Sequence, residues 1–364
     1  MRAGTMTDLG TLGFGPFFAR ALDLDDGHAP MRVAAADRST FLLLGDTEPV
    51  QAVLSGRWHL EGYGELGRPA VGDWVAVRTD GSSHVIEGLL PRRSLFTRKT
   101  SGRSSAPQAI AANVDTVLVV TDVGPDFSPR RLERYASAAI AGGAMPVVVL
   151  NKSDLEHDAD DLGASASAAV PQAEVVFTST VSENGLSALE PHLLPGTTVA
   201  LVGSSGVGKS SIVNAILGEA RQETAEVRTH DGKGRHETTR RELIVAPCGA
   251  IVIDTPGMRE FGLHGAGEGL AEVFADVVEI ARGCRFRDCT HGGEPGCRVS
   301  EACEEGLLPE GRVRSYLDLQ AELALNEERL EERQAGNVKR RWKSISKEVR
   351  RMHRLHRKLG LKDR

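Results

Sequence analysis

Residues 203–210 read Gly-Ser-Ser-Gly-Val-Gly-Lys-Ser, between the apolar run "TTVALV" (197–202) and the helix-like stretch "SSIVNAIL" (210–217). A strand, a glycine-rich turn and a helix in that order form a cradle for phosphate. Backbone N–H groups turn inward, the lysine reaches the terminal phosphates, and the hydroxyl after it takes a divalent cation. Gly203, Ser204, Ser205, Gly206, Val207, Gly208, Lys209, Ser210 and Ser211 are therefore candidate nucleotide-binding residues, with Ser210 on Mg²⁺. The feature also constrains the fold, because such a loop sits at the carboxyl edge of a parallel sheet. The flanking sequence agrees. "VDTVLVV" (114–120), "PVVVL" (146–150), "AEVVFTS" (173–179) and "GAIVIDT" (249–255) read as buried strands. "SPRRLERYASAAIAGG" (128–143) reads as a helix with Ser128 as cap, Pro129 in the first turn and Gly142 at its end. Strands alternating with helices predict a doubly wound, mostly parallel sheet.

"NKSD" (151–154) follows the strand "PVVVL" and selects the base. The Asp154 carboxylate accepts from guanine N1–H and the exocyclic amine. Adenine lacks both donors and would leave the carboxylate unpaired, and sites of this kind discriminate by roughly 10⁴–10⁵. Asn151 tethers the loop and Lys152 packs over the base. "TST" (178–180) is the expected backing loop for guanine O6. "DTPG" (254–257) ends another strand, with Asp254 toward Mg²⁺ and the Gly257 N–H toward the γ-phosphate. The order is base reader, backing loop, phosphate loop, "DTPG", a circular permutation of the ordinary GTPase order. It places "DTPG" last, so that its chain runs directly into the C-terminal region. Met258 stands where ordinary GTPases have a water-orienting glutamine, and a thioether cannot hold the water that way. His236, in the glycine-rich stretch "DGKGRHETT", is the nearest candidate to replace it.

The chain has 364 residues, a length that predicts two or three domains. Residues 1–30 read as a loose glycine-rich arm, and short strand-like runs over 31–95 predict a small β-barrel or sandwich. "RKTSGRSSAPQ" (98–108) reads as a polar basic linker, and Arg92, Arg93, Arg98, Lys99 and Arg103 as RNA contacts at the exit of the β-rich unit. Four of the five cysteines fall between Cys284 and Cys303. Cys284, Cys289, His291 and Cys297 give C-x₄-C-x-H-x₅-C, three thiolates and one imidazole, a closed tetrahedral set for one structural Zn²⁺. Cys303 is an alternative ligand, and Cys248 reads as a buried strand residue. From 338 to 364 there are twelve Lys or Arg against two acidic residues, with Trp342, Ile345, Val349, Met352, Leu355 and Leu359 on one helical face. A basic amphipathic helix suits RNA, a partner groove or a membrane; beside a nucleotide domain and a barrel, RNA is preferred. No apolar run reaches membrane-spanning length and the N-terminus lacks an apolar signal region, so a cytoplasmic protein without membrane contact is expected.

"GDWV" (72–75), "LPRRS" (90–94), "AANVDTVLVV" (111–120), "LNKSDL" (150–155), "GSSGVGKSS" (203–211), "GKGRHETT" (232–239), "IDTPGMREFGL" and "CRFRDCTHGGEPGC" (284–297) resemble the ribosome-small-subunit-dependent GTPase A family (RsgA/YjeQ). The resemblance covers about residues 31–320. It implies an N-terminal OB-fold (31–105) after the arm (1–30), a circularly permuted P-loop GTPase domain (106–262), a zinc-binding domain (263–337) and a basic C-terminal helix (338–364). It implies turnover of GTP to GDP, a late role in maturation of the small ribosomal subunit with contact to its rRNA, and stimulation by the subunit; a monomer is expected. It leaves Cys303 out of the zinc set and links His236 to turnover. The family usually has three threonines after that histidine; here the first is Glu237, which leaves Thr238 and Thr239 as alternatives for the Mg²⁺ and γ-phosphate contact. A GTP-gated RNA-binding protein with incidental turnover is the competing reading. A P-loop kinase is disfavoured by "NKSD".

Overall fold

The computed structural model describes residues 8–22, 27–37, 39–60, 66–99, 107–218, 242–254 and 267–328. After a short helix α1 (Pro16–Ala19) come β1 (Ala29–Ala36), β2 (Thr40–Leu44), β3 (Val50–Leu54), β4 (Trp74–Asp80) and β5 (Ser83–Leu89), with helix α2 (Arg57–Leu60) between β3 and β4. β2 buries alternate residues, whereas β1 buries the unbroken run from Met31 to Ala34. β1 pairs with β2, β2 with β3, β3 in parallel with β5, β5 with β4, and β4 back with β1. The circuit closes a five-stranded barrel of OB type. Met31, Val33, Phe41, Leu43, Val75, Val77 and Ile86 fill it.

The arm is not loose over residues 8–22. Leu12 and Phe18 are buried with Trp74 and Leu90, and Phe14 meets the Trp74 ring edge-on at 4.8 Å. Glycines conceal the periodicity, but the aromatic residues supply enough apolar surface to seal the barrel's flank. Arg32, wholly buried, fastens arm, barrel and nucleotide domain. It donates to the carbonyls of Leu12 at 2.5 Å, Gly72 at 3.2 Å and Asn113 at 3.1 Å, and to Thr198 Oγ1 at 2.8 Å. Burial lowers its pKa to about 10, against the opposing pull of the Asp115 and Asp73 carboxylates. The two ends of the expected linker are paired: β6 (Leu95–Lys99) and β7 (Pro107–Ala112) run antiparallel with Arg98 opposite Gln108, while 100–106, with Arg103, lie outside the described residues.

β8 (Thr116–Asp122), β9 (Met145–Asn151), β10 (Glu174–Thr178), β11 (Thr198–Val202), β12 (Glu242–Val245) and β13 (Ile251–Asp254) form the second sheet, in the order β10-β9-β8-β11-β13-β12. All pairings are parallel except β12 with β13. The chain steps outward from β8 to β10, then returns to lay β11 on the other side of β8. That reversal opens a crevice at the carboxyl ends of β8 and β11, where ligands of such sheets bind. Helices α3 (Pro129–Ala141), α4 (Ala159–Ala169) and α5 (Lys209–Leu217) cover the faces. β12 touches β1 through Glu242 and Ala35, which joins the barrel to the sheet.

After β13 come α6 (Gly267–Val273), α7 (Ala275–Ala281), the Cys/His segment, α8 (Arg298–Glu304) and α9 (310–328). Their core is continuous with that of the nucleotide domain: Leu270, Phe274, Val299, Val313 and Tyr316 belong to one cluster with Leu132, Ala136 and Val148. The fold is an OB barrel, a circularly permuted P-loop domain, and a Cys₃His metal-binding region with helices.

Candidate nucleotide site and metal centre

β11 is buried along its whole length and delivers residues 203–208 to the crevice. Gly208 has φ +98°, and a Cβ there would lie 2.2 Å from Asn151 Nδ2. Only glycine satisfies both the left-handed backbone and that approach. α5 then starts at Lys209, whose ammonium donates to the Gly203 carbonyl at 2.8 Å and to that of Ser204.

The guanine-loop candidates come from the ends of β9 and β10. Asn151, buried, donates to the Val207 carbonyl at 2.8 Å and accepts from Thr178 Oγ1 at 3.1 Å. One side chain thereby ties the "NKSD" loop to the phosphate loop and to β10. Lys152 has φ +63° and pairs with Asp122 at 3.0 Å. Ser179 Oγ donates to Asp154 Oδ1 at 2.5 Å and accepts the N–H groups of Val181 and Ser182, both at 3.1 Å. The carboxylate is thus held from one side, through Oδ1. The sequence reading took "TST" as a backbone loop and missed the side-chain work of Thr178 and Ser179. It also missed Asp122, whose position at the carboxyl end of a buried strand was the available signal. β13 ends at Asp254; His236, Thr238, Thr239, Gly257 and Met258 lie outside the described residues.

The ligand atoms of Cys284, Cys289, His291 and Cys297 all lie within 4.8 Å of one another. His291 Nδ1 is 3.6 Å from both Cys284 Sγ and Cys297 Sγ. Metal–sulfur bonds of about 2.3 Å and metal–nitrogen bonds of about 2.0 Å in a tetrahedron require edges of roughly this length. His291 takes a left-handed backbone, φ +59°. Cys297 caps α8 by accepting the Ser300 N–H at 3.4 Å. Burial opposes ionisation of the Cys297 thiol, but the Ser300 hydroxyl and N–H, with His291, lower it to about 6. At Cys289 the His291 N–H favours the thiolate, yet burial and the neighbouring Cys297 and Cys284 push the thiol up to about 12. Glu294, overlooked in the sequence, braces the turn. It accepts the N–H groups of Thr290 and Gly292, each at 2.9 Å, and the Thr290 hydroxyl. Those bonds, the Thr290 hydroxyl first, bring its pKa down to about 2. Cys303 stays outside the cluster, packed against the core.

Two readings of single residues are corrected. Cys248 is exposed, in the turn between β12 and β13 rather than in a strand. Arg92 points inward. It grips the buried Asp73 carboxylate at 2.6 and 2.8 Å and donates to the carbonyls of Leu66 and Arg68. Burial raises the Asp73 pKa, with the Arg92 guanidinium working against that rise. Arg93 pairs with Asp115 at 3.2 Å and stacks over Phe18.

The family model described as RsgA GTPase matches residues 89–264. Small ribosomal subunit biogenesis GTPase RsgA of Opitutus terrae is 44% identical over 350 residues, covering 93% of this chain and 95% of the relative. The protein of the same name from Methanosarcina acetivorans is 43% identical, covering 82% and 81%. The chain belongs to the RsgA/YjeQ family. Among solved structures, YjeQ from Thermotoga maritima superposes with a TM-score of 0.60 at 28% identity, covering 82% of this chain and 99% of the other. YloQ, described as a circularly permuted GTPase, gives a TM-score of 0.58 at 26% identity, covering 82% and 95%. Like its RsgA relatives this chain is a GTP hydrolase, and the crevice of the permuted sheet is where its P-loop lies. Among the described residues no helix is long and apolar enough to cross a membrane.

Proposed function

We propose that this protein is a ribosome-biogenesis GTPase that binds the small ribosomal subunit and its rRNA in the cytoplasm and hydrolyses GTP late in the subunit's maturation, with turnover stimulated by the subunit. The observation that carries the reading is the meeting of Asp154, Asn151 and Lys209 at one sheet edge, in a chain 44% identical to a named small-subunit GTPase over nearly its whole length. Asp154, oriented by Ser179, reads guanine, and Asn151 sets the distance between guanine loop and phosphate loop. Lys209 leaves its two carbonyl partners for the β/γ-phosphates. Ser210 in the first turn of α5, Thr238 or Thr239, and Asp254 offer hard oxygen donors suited to Mg²⁺, which would neutralise phosphate charge. The thiolates of Cys284, Cys289 and Cys297 with His291 would hold one structural Zn²⁺; no position is left for water, so this metal organises the fold rather than the reaction.

Met258 cannot orient water, so the free protein is expected to turn over GTP slowly. Measured with purified small subunits, turnover should rise, and His236→Ala should lose most of that rise while keeping GTP affinity, because an orienting residue acts in the transition state. Turnover indifferent to subunits would favour a GTP-gated RNA-binding protein. A His236→Ala protein that loses GTP affinity instead would make the histidine a structural part of its loop.

A further inference from the structure

A chain of charges runs through the loop between β8 and α3. The Lys152 ammonium donates to Asp122 Oδ2 at 3.0 Å. Asp122 Oδ1 accepts the N–H groups of Gly124 at 3.1 Å and Asp126 at 3.3 Å. Asp126 grips Arg131, with Oδ1 2.8 Å from Nη1 and its carbonyl accepting from Nη2 at 2.5 Å. Arg131 Nη1 then donates to Ser204 Oγ at 2.6 Å. The chain starts on the guanine loop and ends on the second residue of the phosphate loop. The planar guanidinium suits this post, since its fork serves Asp126 and Ser204 together where an ammonium would favour one.

The other side of α3 is bound to α9. Arg134 makes a two-pronged pair with Glu322 at 2.7 and 3.0 Å, and Arg130 meets Asp318 at 2.6 Å. Buried Glu133 accepts from Ser315 Oγ and from Arg312 Nη1, the latter at 3.3 Å. Arg312 also holds Asp276 at 2.6 and 3.0 Å, the Val273 carbonyl at 2.8 Å, and carbonyls at the end of α4. Every residue named on α3 lies within its first two turns, from 130 to 134. A helix moves as a rigid piece over that length, so a shift of α9 that keeps these pairs carries Arg131 with it, and one that breaks them frees the start of α3.

We propose that α3 couples the C-terminal helix α9 to the phosphate loop: Arg131 is a positioning residue for Ser204, and the seating of α9 sets how tightly the loop holds the nucleotide's phosphates. This rests on reading 203–210 as the phosphate loop. Linkage makes the effect reciprocal, so a partner that draws α9 from α3 changes phosphate affinity by the same factor by which nucleotide changes the partner's affinity.

The test is a mutant cycle on the full chain, with affinities for GDP and a non-hydrolysable GTP analogue measured by titration. Arg131→Ala and the pair Asp318→Ala/Glu322→Ala are each expected to weaken the GTP analogue by about threefold or more, and the combined protein to be no worse than the weaker single, a coupling of at least about threefold. Ser204→Ala should make Arg131→Ala silent, and Arg131→Lys should recover part of the loss, outcomes that a general loss of stability would not produce. Arg78→Ala, which breaks the exposed barrel pair with Glu87, should combine with Arg131→Ala as an independent factor. Effects of the α9 pair and Arg131 that simply multiply, or an Arg131→Ala protein with unchanged affinity, overturn the coupling. Retained nucleotide binding in Lys209→Ala would instead overturn the phosphate-loop reading itself.

Discussion

At the scale of single residues, the proposed guanine selection turns on one hydrogen bond. Ser179 fixes the Asp154 carboxylate at 2.5 Å, and two backbone N–H groups fix Ser179 in turn. Hydrogen bonds to a charged group contribute about 1.5–3 kcal/mol. Ser179→Ala is therefore expected to weaken GTP by about tenfold or more in equilibrium titration, leaving the weak binding of ATP unmoved. Asp154→Asn should weaken GTP and improve xanthosine triphosphate, whose C2 carbonyl and N1–H match the new amide. An Asp154→Asn protein with full GTP affinity would remove the carboxylate from the base site. The proposal of Asp154 as base reader comes from four letters of sequence, because its chemistry is local. Ser179 was not legible in this way, since its role depends on β10 pairing with β9 so that Thr178 stands beside Asn151. Arg92 shows the converse failure. In sequence it is one cation of a basic run; in space Asp73, nineteen positions earlier, draws it inside.

At the scale of elements, the approach of α6 to α3 depends on a missing side chain. A Cβ at Gly269 would lie 2.2 Å from the Ser137 carbonyl oxygen and 2.7 Å from the Ala141 nitrogen, both backbone atoms that cannot turn away. Gly269→Ala should push the helices apart and cost about 1–3 kcal/mol, as overpacking does, read as a lower urea midpoint with an unchanged slope. An unshifted midpoint would mean that this helix pair yields freely. β8, β9 and β11 were readable because they are buried on both faces and spell continuous apolar runs. β12 was missed: it has only four residues, and its antiparallel place beside β13 follows from neither periodicity nor any turn motif. The linker expected over 98–108 takes in only Arg98 and Lys99 of β6 and Pro107 and Gln108 of β7, and the pairing of these two strands, with Phe96 opposite Ala111, follows from no local pattern. β2 to β5 are visible as short runs in the sequence but β1 is not, and the choice of a closed barrel over a sandwich came only from resemblance to the family, since closure runs through β1 and β4.

At the scale of the whole molecule, the metal region and the nucleotide domain share one core, since Cys297, Val299 and Ala302 lie in the cluster that holds Leu132 and Ala136 of α3. Metal binding at such a set contributes directly to folding. Elemental analysis should find about one Zn²⁺ per chain, and Cys289→Ala should lose it, with a lower thermal midpoint and new protease cleavage around residues 284–303. A metal-free protein that resists protease there would refute the structural role. The basic segment, which lies outside the described residues, is expected to act at the same scale but by a different force. Residues 338–364 hold twelve Lys or Arg against two acidic residues in a chain whose formal net charge is −6, so the rest of the molecule gains no attraction to a polyanion from its overall charge. Neutralising phosphates releases counterions, and each contact made adds roughly 0.7–0.9 to the slope of log affinity against log salt. Removing residues 338–364 should therefore weaken binding to small ribosomal subunits most at low salt and flatten that slope by several units. Affinity lost with the slope intact would assign the segment a contact of shape or apolar burial, through the helical face that the sequence spacing predicts for Trp342, Val349 and Leu359.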